Sequence, residues 1–211
     1  MKRISHLIII FILLFGAGWA SNDLETENMM RNLSYLSIPI DHEHASFQFG
    51  FVLNPDQSLF PIAGVNVPFG GAYYLTGGLG AGIDQNDQGE LTLFYLGLGF
   101  YDRFPGLEDL NYTINASIRS FQSLDYHSNI LAGEFLLEQC INDLRIGVGL
   151  SFGVQDYIIN NTGFYNEADE RTYPLAVKVL LRSPYGNIEI KGMPNSIILG
   201  ASWTFKLEET E

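Results

Sequence analysis

Along this chain, apolar residues recur at every second position. In NYTINASIRSF (111 to 121), Tyr112, Ile114, Ala116 and Ile118 share one parity, and Asn111, Thr113, Asn115, Ser117 and Arg119 share the other. DLRIGVGLSFGV (143 to 154) repeats the scheme, with Leu144, Ile146, Val148, Leu150, Phe152 and Val154 alternating with Asp143, Arg145, Gly147, Gly149, Ser151 and Gly153. A period of two predicts β-strands, because successive side chains leave opposite faces of the pleat. The pattern places strands over 46–54, 59–69, 72–83, 90–101, 111–121, 129–140, 143–156, 172–182, 186–192 and 195–206. The weak segment at 186–192 and a further candidate at 33–40 leave eight and twelve strands as alternatives to ten.

The connections fall into two sets. Alternate turns are GG (70–71), DRFPGLED (102–109), IND (141–143) and SPYG (183–186); the opposite ends carry NPDQS, DQNDQG, SLDYHS, the 17-residue DYIINNTGFYNEADERT and MPNS. Short turns on one side and longer loops on the other are how outer-membrane barrels are built, with the short turns periplasmic. The expected fold is therefore all-β: an antiparallel up-and-down transmembrane β-barrel of about ten strands over 46–206.

Composition adds a compartment. Met1 to Ala20 reads as a secretory signal peptide, with Lys2 and Arg3 before the apolar run LIIIFILLF and a small-x-small cleavage site at Gly18, Trp19 and Ala20. From Leu7 to Ala20 the uncharged run is 14 residues, short of the roughly 20 that a helix needs to cross a bilayer. Residues 21–45 form a polar lead, expected in the periplasm, and 207–211 an acidic tail. The lone cysteine, Cys140, excludes an internal disulfide framework in an exported chain. Of 11 basic residues, loss of Lys2 and Arg3 leaves 9 against 24 acidic, a net charge of −15. That balance argues against nucleic-acid partners, since no basic excess remains to neutralise phosphates.

From 46 to 206 the chain resembles small bacterial outer-membrane β-barrel proteins. The resemblance is architectural, and it ends in ILGASWTF (198–205), which looks like the aromatic-terminated last strand that those proteins present to the barrel-assembly machinery. It implies an outer-membrane location, outer-membrane lipid and the assembly machinery as partners, and porin-like architecture. The tail KLEETE after Phe205 departs from the family, whose chains usually stop at the aromatic residue.

Sorting by parity gives an inside and a rim. The polar parity carries Glu90, Arg119, Glu134, Glu138, Arg145, Lys178, Arg182, Glu189 and Lys191, an expected lumen network of mixed sign. Charges held away from bulk water must be paired, so this reads as a salt-bridged plug; the alternative is a conduit for anions along Arg119, Arg145, Lys178 and Arg182. Toward the short-turn end the apolar parity carries Phe47, Phe69, Tyr73, Tyr101, Tyr112, Trp203 and Phe205. Amphipathic rings belong at headgroup level, so these seven form the expected aromatic girdle.

Other motifs fall short of sites. DQNDQGELTLFY (84–95) starts like a calcium loop but has Tyr95 where a bidentate glutamate is required. His42 and His44 in DHEH are two ligands, which do not make a zinc site. GGLGAG (77–82) lacks the dinucleotide-binding spacing. YHSN (126–129) is comparable to the His-x-Ser-Asn stretch of outer-membrane lipid A deacylases, but adjacent His127 and Ser128 leave a strand on opposite faces. No cofactor or metal is expected, and catalysis is the minority reading.

The leading expectation is an outer-membrane barrel with a structural, surface-interaction or narrow transport role. A soluble periplasmic barrel or sandwich holding an apolar ligand is the first alternative, since both give the same alternation. An outer-membrane lipid-modifying enzyme is the second. The alternation names no small-molecule ligand.

Overall fold

A computed structural model describes residues 44–53, 59–83, 90–122, 126–159, 169–173, 175–184, 186–193 and 196–207. The signal segment, nearly all of the lead, the candidate strand at 33–40, His42 and the calcium-like stretch 84–89 lie outside the described residues. Among the described residues every regular element is a strand: β1 (Ser46–Leu53), β2 (Leu59–Pro68), β3 (Tyr73–Ile83), β4 (Glu90–Phe104), β5 (Leu107–Gln122), β6 (Tyr126–Ile141), β7 (Leu144–Ile159), β8 (Asp169–Thr172), β9 (Leu175–Ser183), β10 (Gly186–Met193) and β11 (Ser196–Lys206).

Each strand pairs antiparallel with its chain neighbour, and β1 pairs with β11 to close the ring. Eleven segments make ten staves. β8 pairs Thr172 with Gln155 of β7, and β9 pairs Leu175 with Phe152, so both segments follow one register along the same partner. The interruption falls between Thr172 and Leu175. The molecule is a ten-stranded, closed, up-and-down β-barrel.

The ring closes with a defined stagger. From Tyr157 of β7 the pairings lead through Ser128, Phe121, Leu93, Gly80, Ile62, Gly50, Ser202, Asn187 and Arg182 back to β7 at Arg145. The path starts at position 157 and returns at 145, a shear of twelve residues. An even shear is required, because an odd one would turn one strand's apolar face inward.

Local chemistry sets the turns. β4 continues to Phe104 and β5 begins at Leu107, so the expected eight-residue turn at 102–109 contracts to Pro105–Gly106. Gly106 has φ of +78°; a proline followed by a left-handed glycine closes a tight hairpin at little strain. Gly70 and Gly71 also have positive φ, as does Asn142 between β6 and β7 at 54°, matching turns whose twist suits antiparallel strands. At the other end the expected 17-residue loop is shorter than its sequence suggests. Residues 156–159 belong to β7 and 169–172 to β8, where Asp156 and Arg171 stand opposite one another.

Candidate functional site

The inner face carries two kinds of filling. On the β2–β4 side, large rings lie over glycines of neighbouring strands. A Cβ on Gly78 would strike the Tyr95 ring and the Ala63 carbonyl, one on Gly99 the Tyr74 ring, and one on Gly80 or Gly82 the Phe60 ring. Tyr95 is fully buried, and its hydroxyl donates to the Gly77 carbonyl at 2.8 Å. Phe60 meets Phe121 with centroids 6.1 Å apart, and Asn115 Nδ2 donates to Tyr74 Oη at 3.1 Å. Glycine here supplies room for a ring that spans the strand beside it.

On the β5–β10 side, charge replaces rings. Glu134 and Glu138 lie four positions apart on β6 and so share the inner face. Glu134 receives Arg119 Nη2 at 3.1 Å, Lys178 Nζ at 3.5 Å and Lys191 Nζ at 3.5 Å, with Ser151 Oγ donating at 3.2 Å. Lys191 also reaches Glu189 at 3.2 Å. Lys178 and Lys191 stand opposite each other on β9 and β10, a like-charge pairing that is unfavourable by itself. The Glu134 carboxylate between them reverses that sign. One turn of the pattern closer to the short-turn end, Arg182 grips Glu138 with Nε at 3.0 Å and Nη2 at 2.5 Å. The Arg182 guanidinium lies 5.9 Å from the Tyr101 ring centre, and Arg145 Nη1 and Asn111 Nδ2 both donate to Tyr101 Oη.

Of the nine charges assigned to the interior from sequence, Arg119, Glu134, Glu138, Lys178, Arg182, Glu189 and Lys191 are buried on the inner face. Arg145 faces inward and is half-buried. Glu90 pairs with Ile83 through its backbone, and its side chain lies outside the described residues. The eight described charges comprise five bases and three acids, and ion pairs join Arg119, Lys178, Lys191 and Arg182 to carboxylates. Four of the five described bases are therefore bridged to carboxylates of other strands.

Outside, the apolar parity is exposed. Leu79, Phe94, Leu96, Ile118, Leu131, Phe152 and Ile188 each show more than half of their surface. The rings toward the short-turn end touch in sequence around the wall: Phe69 to Tyr73 at 6.2 Å, Tyr73 to Phe100 at 5.1 Å, Phe100 to Tyr112 at 5.6 Å and Tyr112 to Phe104 at 6.1 Å. Phe47, Trp203 and Phe205 are likewise exposed. Tyr101 corrects the expected girdle. It is 3% exposed and faces inward, and Phe100 takes the outward place. In ELTLFYLGLGFY both parities are apolar, so alternation alone does not orient β4. Gly97 and Gly99 were the available signal, because they share the parity of Tyr101, as the inward glycines of β3 share theirs.

At the long-loop end, Ser128 is buried, and its hydroxyl accepts from Gln155 Nε2 at 2.6 Å. His127 contacts Asn129 at 3.0 Å on the other face. The β5–β6 register runs without a shift through both residues, so no bulge brings histidine and serine together. Among the described residues no group of three or more histidine, cysteine or acidic side chains has metal-binding geometry.

At the short-turn end a cavity of about 590 Å³ lies among the ends of β7, β9, β10 and β11. Asp143, Arg145, Arg182, Asn187, Thr204 and Lys206 contribute to its lining. Sequence reading missed this feature, because β7, β9, β10 and β11 converge on it only once the stagger of the ring is known. No protein family, curated protein or solved structure matches this chain.

Proposed function

We propose that this chain is an outer-membrane β-barrel with a structural or surface-interaction role, its lumen closed by side chains. One observation carries the reading: the exposed wall is apolar, while the enclosed face holds the ion-paired charges beside rings and small apolar clusters. Proteins surrounded by water bury aliphatics and expose charge. Here charge is enclosed and a continuous set of aliphatics and rings is exposed, as a hydrocarbon surrounding favours. The chain of rings near the short turns suits the interface between acyl chains and headgroups. The staves also fit, because a strand tilted by about 45° crosses the core with 9–11 residues and β3 and β11 have 11 each. The bridges from Glu134 to β5, β9 and β10 favour a plug over a wide pore.

The test is substitution on the outer wall together with fractionation. Ile114 is 49% exposed, so in a water-soluble protein Ile114→Arg should change stability by no more than about 0.5 kcal/mol. In a bilayer it should cost roughly 2–4 kcal/mol. Asn115→Ala, one position away on the inner face, removes the bond to Tyr74 and should cost about 1 kcal/mol in either setting. Recovery of the wild type in the soluble periplasm without detergent, with Ile114→Arg near neutral, would sink the membrane reading.

A further inference from the structure

The rings toward the short turns do not encircle the wall. They run from Trp203 and Phe205 on β11 through Phe47 on β1 to Tyr112 on β5, an arc of six staves. On the other four, formed by β6, β7, β8 with β9, and β10, no described outward residue of the strands at that end is aromatic; Leu137, Gln139, Ile146, Leu181 and Ile188 stand there instead. Tyr185, in the β9–β10 turn, lies outside the described residues. Two rings do face outward in this sector, Phe135 and Phe152, but both stand further toward the long loops, and Phe152 lies over Gly133.

The register joins Leu137, Val148, Val179 and Ile190 in one uncharged row across the four staves. Val148 and Val179, at its centre, are half-buried by their neighbours, whereas Val65 and Val67 on β2 are exposed. The middle of the sector is therefore flush. In lipid, apolar area alone does not drive association, and close packing does; projecting rings obstruct it and flush valines permit it. Branched aliphatics also lose little side-chain freedom on packing. Behind the same staves, Glu134 and Glu138 tie Lys178, Lys191 and Arg182 together, which holds the face in one shape before contact.

We propose that this sector is covered by a second copy of the chain, an inference that rests on the outer-membrane reading. A face without charge can meet itself about a two-fold axis with no like-charge penalty. Four staves about 4.8 Å apart and tilted by about 45° span roughly 27 Å of wall. With an apolar band about 25 Å tall, each copy offers roughly 680 Å². Contact over three-quarters of that face on both copies reaches the roughly 1,000 Å² that a specific interface needs.

The experiment places donor and acceptor dyes on Glu108→Cys, in a Cys140→Ser background, and reconstitutes both populations together in phosphatidylcholine vesicles. Energy transfer is expected to persist when the lipid-to-protein ratio is raised tenfold. It should fall several-fold in Val148→Trp with Val179→Trp and stay unchanged in Leu75→Trp on the ring-bearing arc; tryptophan keeps each wall apolar. Should the tryptophan pair fail to fold, oxidation of Val179→Cys in the same background should give a covalent dimer, and Leu75→Cys should not. Transfer that falls in proportion to dilution leaves lipid or another protein as the neighbour and overturns the proposal, as does equal sensitivity of the two faces or absence of the Val179→Cys dimer. Flotation separates the two readings: a chain that floats with the vesicles as a monomer defeats this inference alone, and one that does not float defeats the membrane reading and this inference with it.

Discussion

Between β2 and β4 the lumen is filled by rings lying across glycines, whereas between β5 and β10 four buried bases and three carboxylates stand beside small apolar clusters such as Leu136 with Leu180. The first arrangement is local. Tyr95 and Tyr74 need only the adjacent strand to present Gly78 or Gly99 at the right register. The second is distributed. Glu134 on β6 meets Arg119 on β5, Lys178 on β9 and Lys191 on β10, contacts that exist only when several staves stand at their final stagger. Local packing thus gives one side its shape, and long-range charge gives the other side its uniqueness.

The largest effect should come from Glu134→Gln. It leaves Arg119, Lys178 and Lys191 crowded beside a neutral amide, and removal of one member of a buried ion cluster costs about 3–5 kcal/mol. Urea unfolding of the purified barrel measures it. A loss no greater than that from an exposed pair would erase the contrast between the two sides. Gly78→Val probes the opposite side: its side chain meets both the Tyr95 ring and the Ala63 carbonyl, and overpacking of this kind costs about 1–3 kcal/mol. If Gly78→Val equalled Glu134→Gln, the ring-filled side would be as unforgiving as the charged one.

The smallest effect should come from Arg171→Gln. Its bond to Asp156 at 2.7 Å lies at the end of β7's apolar face, with both side chains more than half exposed. That bond holds the Asp156 carboxyl below the usual carboxylate range. A depressed carboxylate contributes stability above its unfolded pKa and loses it as pH falls through the folded value. Because water and salt screen an exposed pair, the unfolding midpoint of Arg171→Gln should match wild type at neutral pH. A clear shift would give β8 a larger part in holding the ring than its four residues suggest.

Much of the wall was legible from parity. Strand type and the inward face of β3, β5 and β7 follow directly from alternation, since one parity is aliphatic and the other is polar or glycine. β4 was not legible in this way: both of its faces are apolar, and Tyr101 was assigned outward although its hydroxyl takes hydrogen bonds from Arg145 and Asn111. The length of the 156–172 connection misled for a different reason. Its polar residues read as loop, yet Asp156 and Arg171 pair across two strands that run beyond the apolar face. The charged residues of the interior can be picked out, with Glu134 and Glu138 as carboxylates placed to serve the bases, but which base meets which cannot. Matching Glu134 with Lys191 requires the order of staves and the shear, and alternation within a strand contains neither.

The seam between β1 and β11 joins Ser46 to Lys206 and Leu53 to Leu199, partners 160 and 146 positions apart along the chain. Until that pairing forms, β1 and β11 each present an open edge. An open edge is a template for strangers. Closure of this one seam therefore removes both edges of the sheet at once.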